Sequence, residues 1–186
     1  MAQAWKRRTA VVQCMGGYRK HDTGILDGTG MTDGRCRQML AEEAGKVPCK
    51  WGCLGGGSCV AVCRLNAIRI TGRGAAEVDT GKCVGCGLCV KICPRGLIRI
   101  TSTEYNIYPA CVSEEPGTQT KKICDAGCIA CGICVRNCPV KAIRVYNNHA
   151  VIDEEKCIAC GMCAVKCPQG VIRDYNGIFT VWEAQV

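Results

Sequence analysis

One cysteine pattern constrains the fold of this chain more than any other feature of its sequence. The pattern C-x2-C-x2-C-x3-C-P occurs without a departure at three places, residues 83–94, 128–139 and 157–168. A looser copy, C-x3-C-x5-C-x3-C, runs from Cys49 to Cys63 and has Arg64 where the others have proline. Repetition of one motif at this density predicts a repeated structural unit.

The four copies group into two pairs with similar connectors. Each connector is predicted to form a short strand, a Gly- or Asn-rich turn and a second strand, with the first strands at Ala67–Ile70 and Ala142–Val145. The spacing between the pairs is nearly constant, because Cys59 and Cys134 lie 75 residues apart. The sequence therefore predicts a duplicated module at 49–101 and 124–176.

The spacing of each run also predicts its chemistry. Three cysteines at i, i+3 and i+6, followed by one at i+10 and a proline, form the run that binds [4Fe–4S] clusters in bacterial ferredoxins. Three nearby thiolates wrap one cubane, and small residues between them let backbone N–H groups approach sulfur. The expected fold class is α+β, with two tandem bacterial 2[4Fe–4S] ferredoxin-like modules.

Three further segments complete the predicted organisation. A loop-rich N-terminal region covers 1–48 and contains a predicted helix in 34–46, a spacer covers 102–123, and a tail covers 177–186. The spacer has Pro and Gly punctuation and no clear periodicity, so a linker would account for it apart from its cysteine, Cys111. The N-terminal region and the spacer are both expected to contribute to a fifth cluster.

The ligands follow from the rule that the fourth cysteine of a run reaches the partner cluster of its module. Four ligand sets are predicted: Cys49, Cys53, Cys59 and Cys93; Cys83, Cys86, Cys89 and Cys63; Cys128, Cys131, Cys134 and Cys167; Cys157, Cys160, Cys163 and Cys138. Four cysteines remain, Cys14, Cys36, Cys111 and Cys124. Since a cubane takes four ligands, we expect these to bind a fifth [4Fe–4S] cluster; the alternative is that they are buried or free thiols.

Other uses of so many cysteines fit less well. Cysteine makes up 20 of the 186 residues, which in a secreted chain would indicate disulfides, but the sequence shows no export signal. Structural zinc prefers two separated C-x2-C knuckles. Cys124, Cys128 and Cys131 spell the C-x3-C-x2-C triad of radical S-adenosylmethionine enzymes, but too little length is left for the barrel of those enzymes.

Charge and hydropathy bear on partners and location. The formal charge of +8 falls to about −2 if five clusters of about −2 each are bound, so nucleic-acid binding is not expected. The sequence contains no run of about 18 apolar residues, so direct membrane insertion is not expected either. A reducing, cytoplasmic location is expected, with any attachment to a membrane complex made through partner subunits.

The order and spacing of the motifs resemble those of a known family. The strings "AVVQCMGG", "DGRCR", "CKWGCLGGGSCV", "CDAGCIACGICVRNCPVKAIRV" and "NNHAVIDEEKC" are similar to the B subunit of the Rnf ferredoxin:NAD oxidoreductase complex, over roughly residues 10 to 175. The resemblance implies a relay that takes low-potential electrons from reduced ferredoxin towards flavin-bearing partner subunits. That family usually also has an N-terminal membrane span and a further small cluster domain, which this sequence does not display.

The function expected from the sequence is therefore electron transfer by one-electron hopping between clusters, within a larger oxidoreductase complex that includes a flavoprotein. The chain itself is not expected to be an enzyme, because no catalytic constellation accompanies the cysteines. Basic residues beside the runs, Arg95 among them, are expected to raise cluster potentials by favouring the added electron. The alternative is a freestanding soluble polyferredoxin that carries electrons alone.

Overall fold

The computed structural model describes residues 7–17, 34–42, 48–103 and 107–175. Within these residues the chain is built from short elements, in agreement with the α+β class. In chain order they are β1 (Arg8–Val12), α1 (Cys36–Glu42), α2 (Ser58–Ala61), β2 (Ile68–Ile70), β3 (Ala76–Val78), α3 (Leu88–Ile92), β4 (Ile98–Ser102), β5 (Ile107–Pro109), α4 (Gly117–Ile123), α5 (Ile133–Arg136), β6 (Ile143–Tyr146), β7 (His149–Ile152), α6 (Met162–Val165) and β8 (Ile172–Asp174).

The two modules repeat one order of elements. Module one runs α2–β2–β3–α3–β4 and module two runs α5–β6–β7–α6–β8. In both, the predicted connector hairpins are present, with β2 antiparallel to β3 and β6 antiparallel to β7. The β6–β7 turn consists of Asn147 and Asn148 at φ 43° and 60°, the backbone that a two-residue type I′ turn requires. The tandem ferredoxin-like fold is thereby confirmed.

Each module gains a strand from outside its cysteine runs. β1 pairs antiparallel with β4, placing Val12 opposite Ile98. β5 pairs antiparallel with β8 in the equivalent register, placing Pro109 opposite Ile172. Neither β1 nor β5 was predicted from the sequence, because a strand of three to five residues acquires its stability from a partner about 65 to 90 residues away and carries little local signal.

The spacer is more ordered than a linker. Besides β5 it contains α4, whose first turn begins after Pro116, and the Thr120 hydroxyl donates to the backbone oxygen of Glu115 at 3.2 Å. In the N-terminal region the predicted helix is present as Cys36–Glu42, and residues 43–46 of that prediction lie outside the described residues. Both added segments carry cysteines that lie against the modules.

The interior is assembled from small residues and cysteines. One core belongs to module one and contains Ala10, Ala67, Val78 and Ile98 together with cysteines of both its runs. An equivalent core belongs to module two. A third, smaller group joins β1 to β5 and consists of Val11, Tyr108 and Ala110, each at most 3% exposed. The modules therefore meet along the two added strands.

Candidate iron–sulfur sites

Backbone geometry shapes each run around a common centre. A left-handed glycine immediately precedes each short helix of the runs; these are Gly57, Gly87, Gly132 and Gly161, at φ 69°, 81°, 70° and 75°. A side chain rarely adopts this conformation, which explains the glycine at all four positions. The turn brings the cysteines of a run to one side of the backbone and lets N–H groups point toward their sulfur atoms.

Hydrogen bonds orient the last cysteine of the runs. The Sγ atoms of Cys63, Cys93 and Cys138 each accept a backbone N–H from the residue four positions later, at 3.3, 3.4 and 3.2 Å. Such bonds stabilise negative charge on sulfur. At a bound cluster they favour the reduced state and so contribute to its potential.

Three of the predicted ligand sets come together in space. Cys63 joins Cys83, Cys86 and Cys89 around a space of about 770 Å³, counting its opening to solvent. In module two, the pocket of the Cys128 run is lined by four thiols, those of Cys128, Cys131, Cys134 and Cys167. For the third set, the pKa of Cys157 indicates its neighbours, because it is raised by burial and then by the nearby thiols of Cys138 and Cys160.

Burial and crowding keep these thiols protonated unless a cation is present. Burial, followed by the nearby Cys128 and Cys167, raises the pKa of Cys134 to about 11. The pKa of Cys163 is raised to about 12, mainly by burial and then by the nearby thiols of Cys157, Cys134 and Cys160. Several thiolates in one low-dielectric space repel one another, so their ionised form requires compensating positive charge. Iron supplies that charge, and the donor set therefore fits an iron–sulfur cluster.

The looser run lacks one cysteine of the pattern. When Cys53, Cys59 and Cys63 are placed over Cys128, Cys134 and Cys138, each pair is 75 residues apart, and Gly56 falls at the position of the middle cysteine, Cys131. An ideal Cβ added to Gly56 would lie only 3.2 Å from the Sγ of Cys36. Cys36 thus brings a thiol from the N-terminal region to the place where the run has none.

The contacts of α1 hold Cys36 in this position. The Cys36 N–H donates to the Ser58 hydroxyl at 3.0 Å, and that hydroxyl donates to the Gly34 carbonyl at 2.7 Å. The Arg35 N–H donates to the Gly56 carbonyl at 3.2 Å. Burial raises the pKa of Cys59 to about 12, with further contributions from Cys53, Cys36 and Cys93. Cys53, Cys36 and Cys93 are therefore all neighbours of Cys59, and Cys36 also acts on the pKa of Cys53.

A separate pocket collects the other four cysteines. Cys14, Cys49, Cys111 and Cys124 all line a space of about 360 Å³, counting its opening. Cys14 and Cys111 face each other across an isolated antiparallel bridge. Burial raises the pKa of Cys124 to about 11, and the thiols of Cys14 and Cys49 add to the increase.

The neighbours seen in the structure differ from the grouping expected from the sequence at two cysteines. Sequence spacing assigned Cys49 to the first run and Cys36 to the fifth set, whereas the structure places Cys36 beside Cys59 and Cys49 in the pocket of Cys124. The sequence did contain a signal: Cys49 and Cys124 are 75 residues apart, and each lies four residues before the first cysteine of a run. The irregular spacing of the looser copy concealed this equivalence.

The geometry also bears on three other uses of these cysteines: disulfides, sites for a single metal ion and the triad of radical enzymes. None of the twenty cysteines, all of which the structure describes, forms a disulfide. The described residues contain no group of three or more Cys, His, Asp or Glu side chains arranged to hold a single metal ion. The triad typical of radical enzymes is divided, since Cys124 lines one pocket while Cys128 and Cys131 line another.

Comparison with known proteins agrees with the geometry. A 4Fe-4S dicluster domain matches residues 50–100, and a second model with the same description matches residues 127–171. The chain contains two 4Fe-4S dicluster domains in tandem. A third dicluster model matches residues 82–143, which joins the second run of the first dicluster domain to the first run of the second. The group held by these domains is the [4Fe–4S] cluster, as the spacing predicted.

A curated relative confirms the resemblance seen in the sequence. The dicluster protein is 37% identical, over 145 residues, to the B subunit of the ion-translocating oxidoreductase complex of Methanosarcina acetivorans. The alignment covers 78% of this chain, and the chain spans about half of the relative, 54% of its length. Among the described residues, no helix has the length and apolar character needed to cross a membrane.

Proposed function

We propose that this chain relays single low-potential electrons through [4Fe–4S] clusters as a subunit of a larger oxidoreductase complex. The observation that carries the proposal is that the thiol sets of each dicluster domain adjoin one another. Cys134, from one set of module two, contributes to the raised pKa of Cys163 in the other set. In module one, Cys59 and Cys89 belong to different sets and share one buried core.

Adjacent sets of this kind suit electron tunnelling. A compact chain of this length has a radius of gyration of about 16 Å, so neighbouring clusters within it are close together. When bound, a [4Fe–4S] cluster accepts and releases one electron at a potential set by its hydrogen bonds, burial and nearby charge. The protein supplies the thiolates, the N–H···S bonds and the apolar surroundings of each site.

The proposed ligands of the four ferredoxin-type clusters follow from the observed neighbours. They are Cys36, Cys53, Cys59 and Cys93; Cys63, Cys83, Cys86 and Cys89; Cys128, Cys131, Cys134 and Cys167; Cys138, Cys157, Cys160 and Cys163. In three of these sets, the rule that the fourth cysteine of a run reaches the partner cluster accounts for all four ligands. In the first set, Cys36 replaces the thiol that Gly56 cannot provide.

The proposed partners are a reduced ferredoxin as donor and a flavin-containing subunit as acceptor. The named relative is a subunit of an ion-translocating oxidoreductase complex, which favours a fixed relay at a membrane complex over a carrier that diffuses alone. We place the chain on the cytoplasmic side, attached through other subunits. The chain would perform no substrate chemistry of its own.

Purification of the tagged chain from its own cells under anaerobic conditions tests this proposal against a freestanding polyferredoxin. We expect a stable complex that contains flavin and whose iron–sulfur EPR signals appear when reduced ferredoxin is added. The same chain, expressed alone and reconstituted, provides the control for direct reduction by ferredoxin. Recovery of a flavin-free monomer with redox-active clusters would instead support the freestanding carrier, and clusters that cannot be reduced would exclude both.

A further inference from the structure

We propose that Cys14, Cys49, Cys111 and Cys124 bind a fifth [4Fe–4S] cluster that is shared by the two dicluster domains and carries electrons between them. This group of thiols is called the junction site below. The existence of the cluster rests on the geometry of these four residues alone. Its role as a bridge rests in addition on the proposed relay function.

Two of the junction thiols occupy equivalent positions in the duplicated modules. Cys49 precedes Cys53 by four residues, and Cys124 precedes Cys128 by four residues. Both residues line the same pocket although they lie 75 positions apart in the chain. Each module therefore directs the same element of its repeat toward the other module.

The other two junction thiols are equivalent as well. Cys14 lies two residues after Val12, which pairs with Ile98, and Cys111 lies two residues after Pro109, which pairs with Ile172. The Sγ atom of each accepts the backbone N–H two residues further on, from Gly16 and from Ser113, at 3.5 Å in both cases.

The junction site thus obtains two thiols from the side of each module. Four thiols are the number that one cubane takes, and two from one side leave a cubane half-ligated. The site is complete only when β1 and β5 have added to their modules and the modules have met. This explains why both added segments carry a cysteine two residues after the end of a strand.

The junction site lies against a neighbouring set on each side. The Cys53 N–H donates to the Cys14 Sγ at 3.3 Å. Cys111 also lies close to Cys128: burial raises the pKa of Cys111, the backbone N–H of Cys128 opposes that increase, and the Cys128 thiol adds to it. Cys53 belongs to the adjacent set of module one and Cys128 to the adjacent set of module two, so the junction site lies between them in the electron path.

The resulting order is linear. It begins with the set of Cys83, continues through the set of Cys53, the junction site and the set of Cys128, and ends with the set of Cys157. Cys86 and Cys131 are the two exposed cysteines of the chain. Cys86 belongs to a terminal set of this order, which provides one place where electrons can enter or leave.

The decisive measurement is the iron content of the full chain, prepared anaerobically, for the wild type and two variants. The wild type is expected to hold about 20 iron atoms. Cys49→Ala and Cys124→Ala, one in each module, should each lose about four of them. Val112→Ala is the matched control, because Val112 lines the same pocket without a thiol and its replacement should leave the iron content unchanged.

EPR distinguishes loss of one cluster from general damage. Both cysteine variants must lose the same signal and keep the signals of the other four clusters. A wild-type content of about 16 iron atoms, or loss of different signals in the two variants, overturns the shared cluster.

The bridging role has a separate readout. After rapid mixing with a limiting amount of reductant and freezing at successive times, the variants should distribute electrons between the modules more slowly than the wild type. Unchanged redistribution after loss of the junction signal overturns the bridge. Failure to find a flavin-containing partner would contradict the proposed function and leave the iron content unaffected.

Discussion

The proposal that Cys36 supplies the thiol missing at Gly56 can be tested by moving the cysteine from position 36 to position 56. Cys36→Ala removes one proposed ligand of the set that contains Cys53, Cys59 and Cys93. The iron content should fall from about 20 to about 16 atoms, because a cubane of this type is held by four thiolates and one of them is then missing. Adding Gly56→Cys to this variant should restore about 20 iron atoms, since it recreates the regular run.

The structure indicates that the transplanted side chain fits. Gly56 is not in the left-handed region that disfavours side chains, and its added Cβ would meet the Met39 Sδ at 2.5 Å and the backbone nitrogen of Cys36 at 3.0 Å. The first contact is with the flexible end of a methionine, which can move. The Sγ of Cys36 lies 3.2 Å from that Cβ, so its removal in the double variant also makes room.

Iron and acid-labile sulfide per chain, together with EPR of the reduced protein, measure the outcome. Gly56→Cys alone should keep five clusters and add one titratable thiol, because two thiols then compete for one iron. Cys49→Ala serves as the comparison: it should also lose about four iron atoms, and Gly56→Cys should not restore them. The assignment of Cys36 is refuted if Cys36→Ala retains all its iron, or if Gly56→Cys rescues Cys49→Ala and not Cys36→Ala.

Three further predictions rest on the described contacts. Arg95 donates to the Cys49 carbonyl at 2.9 Å, and its charge partly offsets the increase that burial causes in the pKa of the Cys49 thiol. Arg95→Gln should therefore lower the potential of the junction cluster in an EPR redox titration, and Lys91→Gln should leave that potential unchanged. Ile172→Ala should cost about 2–5 kcal/mol in unfolding free energy, because Ile172 is fully buried at the β5–β8 pair. Thermal loss of cluster absorbance measures this, with Val165→Ala, at an exposed position of module two, as control. Reconstitution of the iron-free chain should release protons and proceed faster at pH 9 than at pH 7. The reason is that ligation requires the thiolate, whereas burial raises the pKa of thiols such as Cys134 to about 11. A reconstitution rate that does not depend on pH would contradict this.

Much of the cluster chemistry could be predicted from the sequence because it is encoded locally. Three cysteines within seven residues, with a left-handed glycine before the last of them, specify the wrapping of a cubane with little help from the rest of the chain. The connector hairpins were also predictable, since the Asn147–Asn148 turn and the alternation of short apolar strands lie within about 20 residues. These features led directly to the dicluster domains that the comparisons identify.

Other features depended on residues that are distant in sequence. β1 and β5 are too short to be recognised by periodicity, and each is defined by its pairing with the last strand of a module. Cys36 has no motif of its own; its neighbours are fixed by the Ser58 hydroxyl and by the absence of a side chain at Gly56.

The sequence by itself determined the kind of cofactor and the tandem arrangement of the dicluster domains, and it predicted three of the four proposed crossover sets, because short-range spacing controls which thiols can reach one iron cluster. Only the tertiary structure decided that Cys49 lies with Cys124 and Cys36 with Cys59. The physical reason is that a thiol's neighbours across a domain boundary are selected by strand pairing and core packing, which bring together segments up to about a hundred residues apart. The spacing of the cysteines reflects this only in the shared position of Cys49 and Cys124, four residues before their runs.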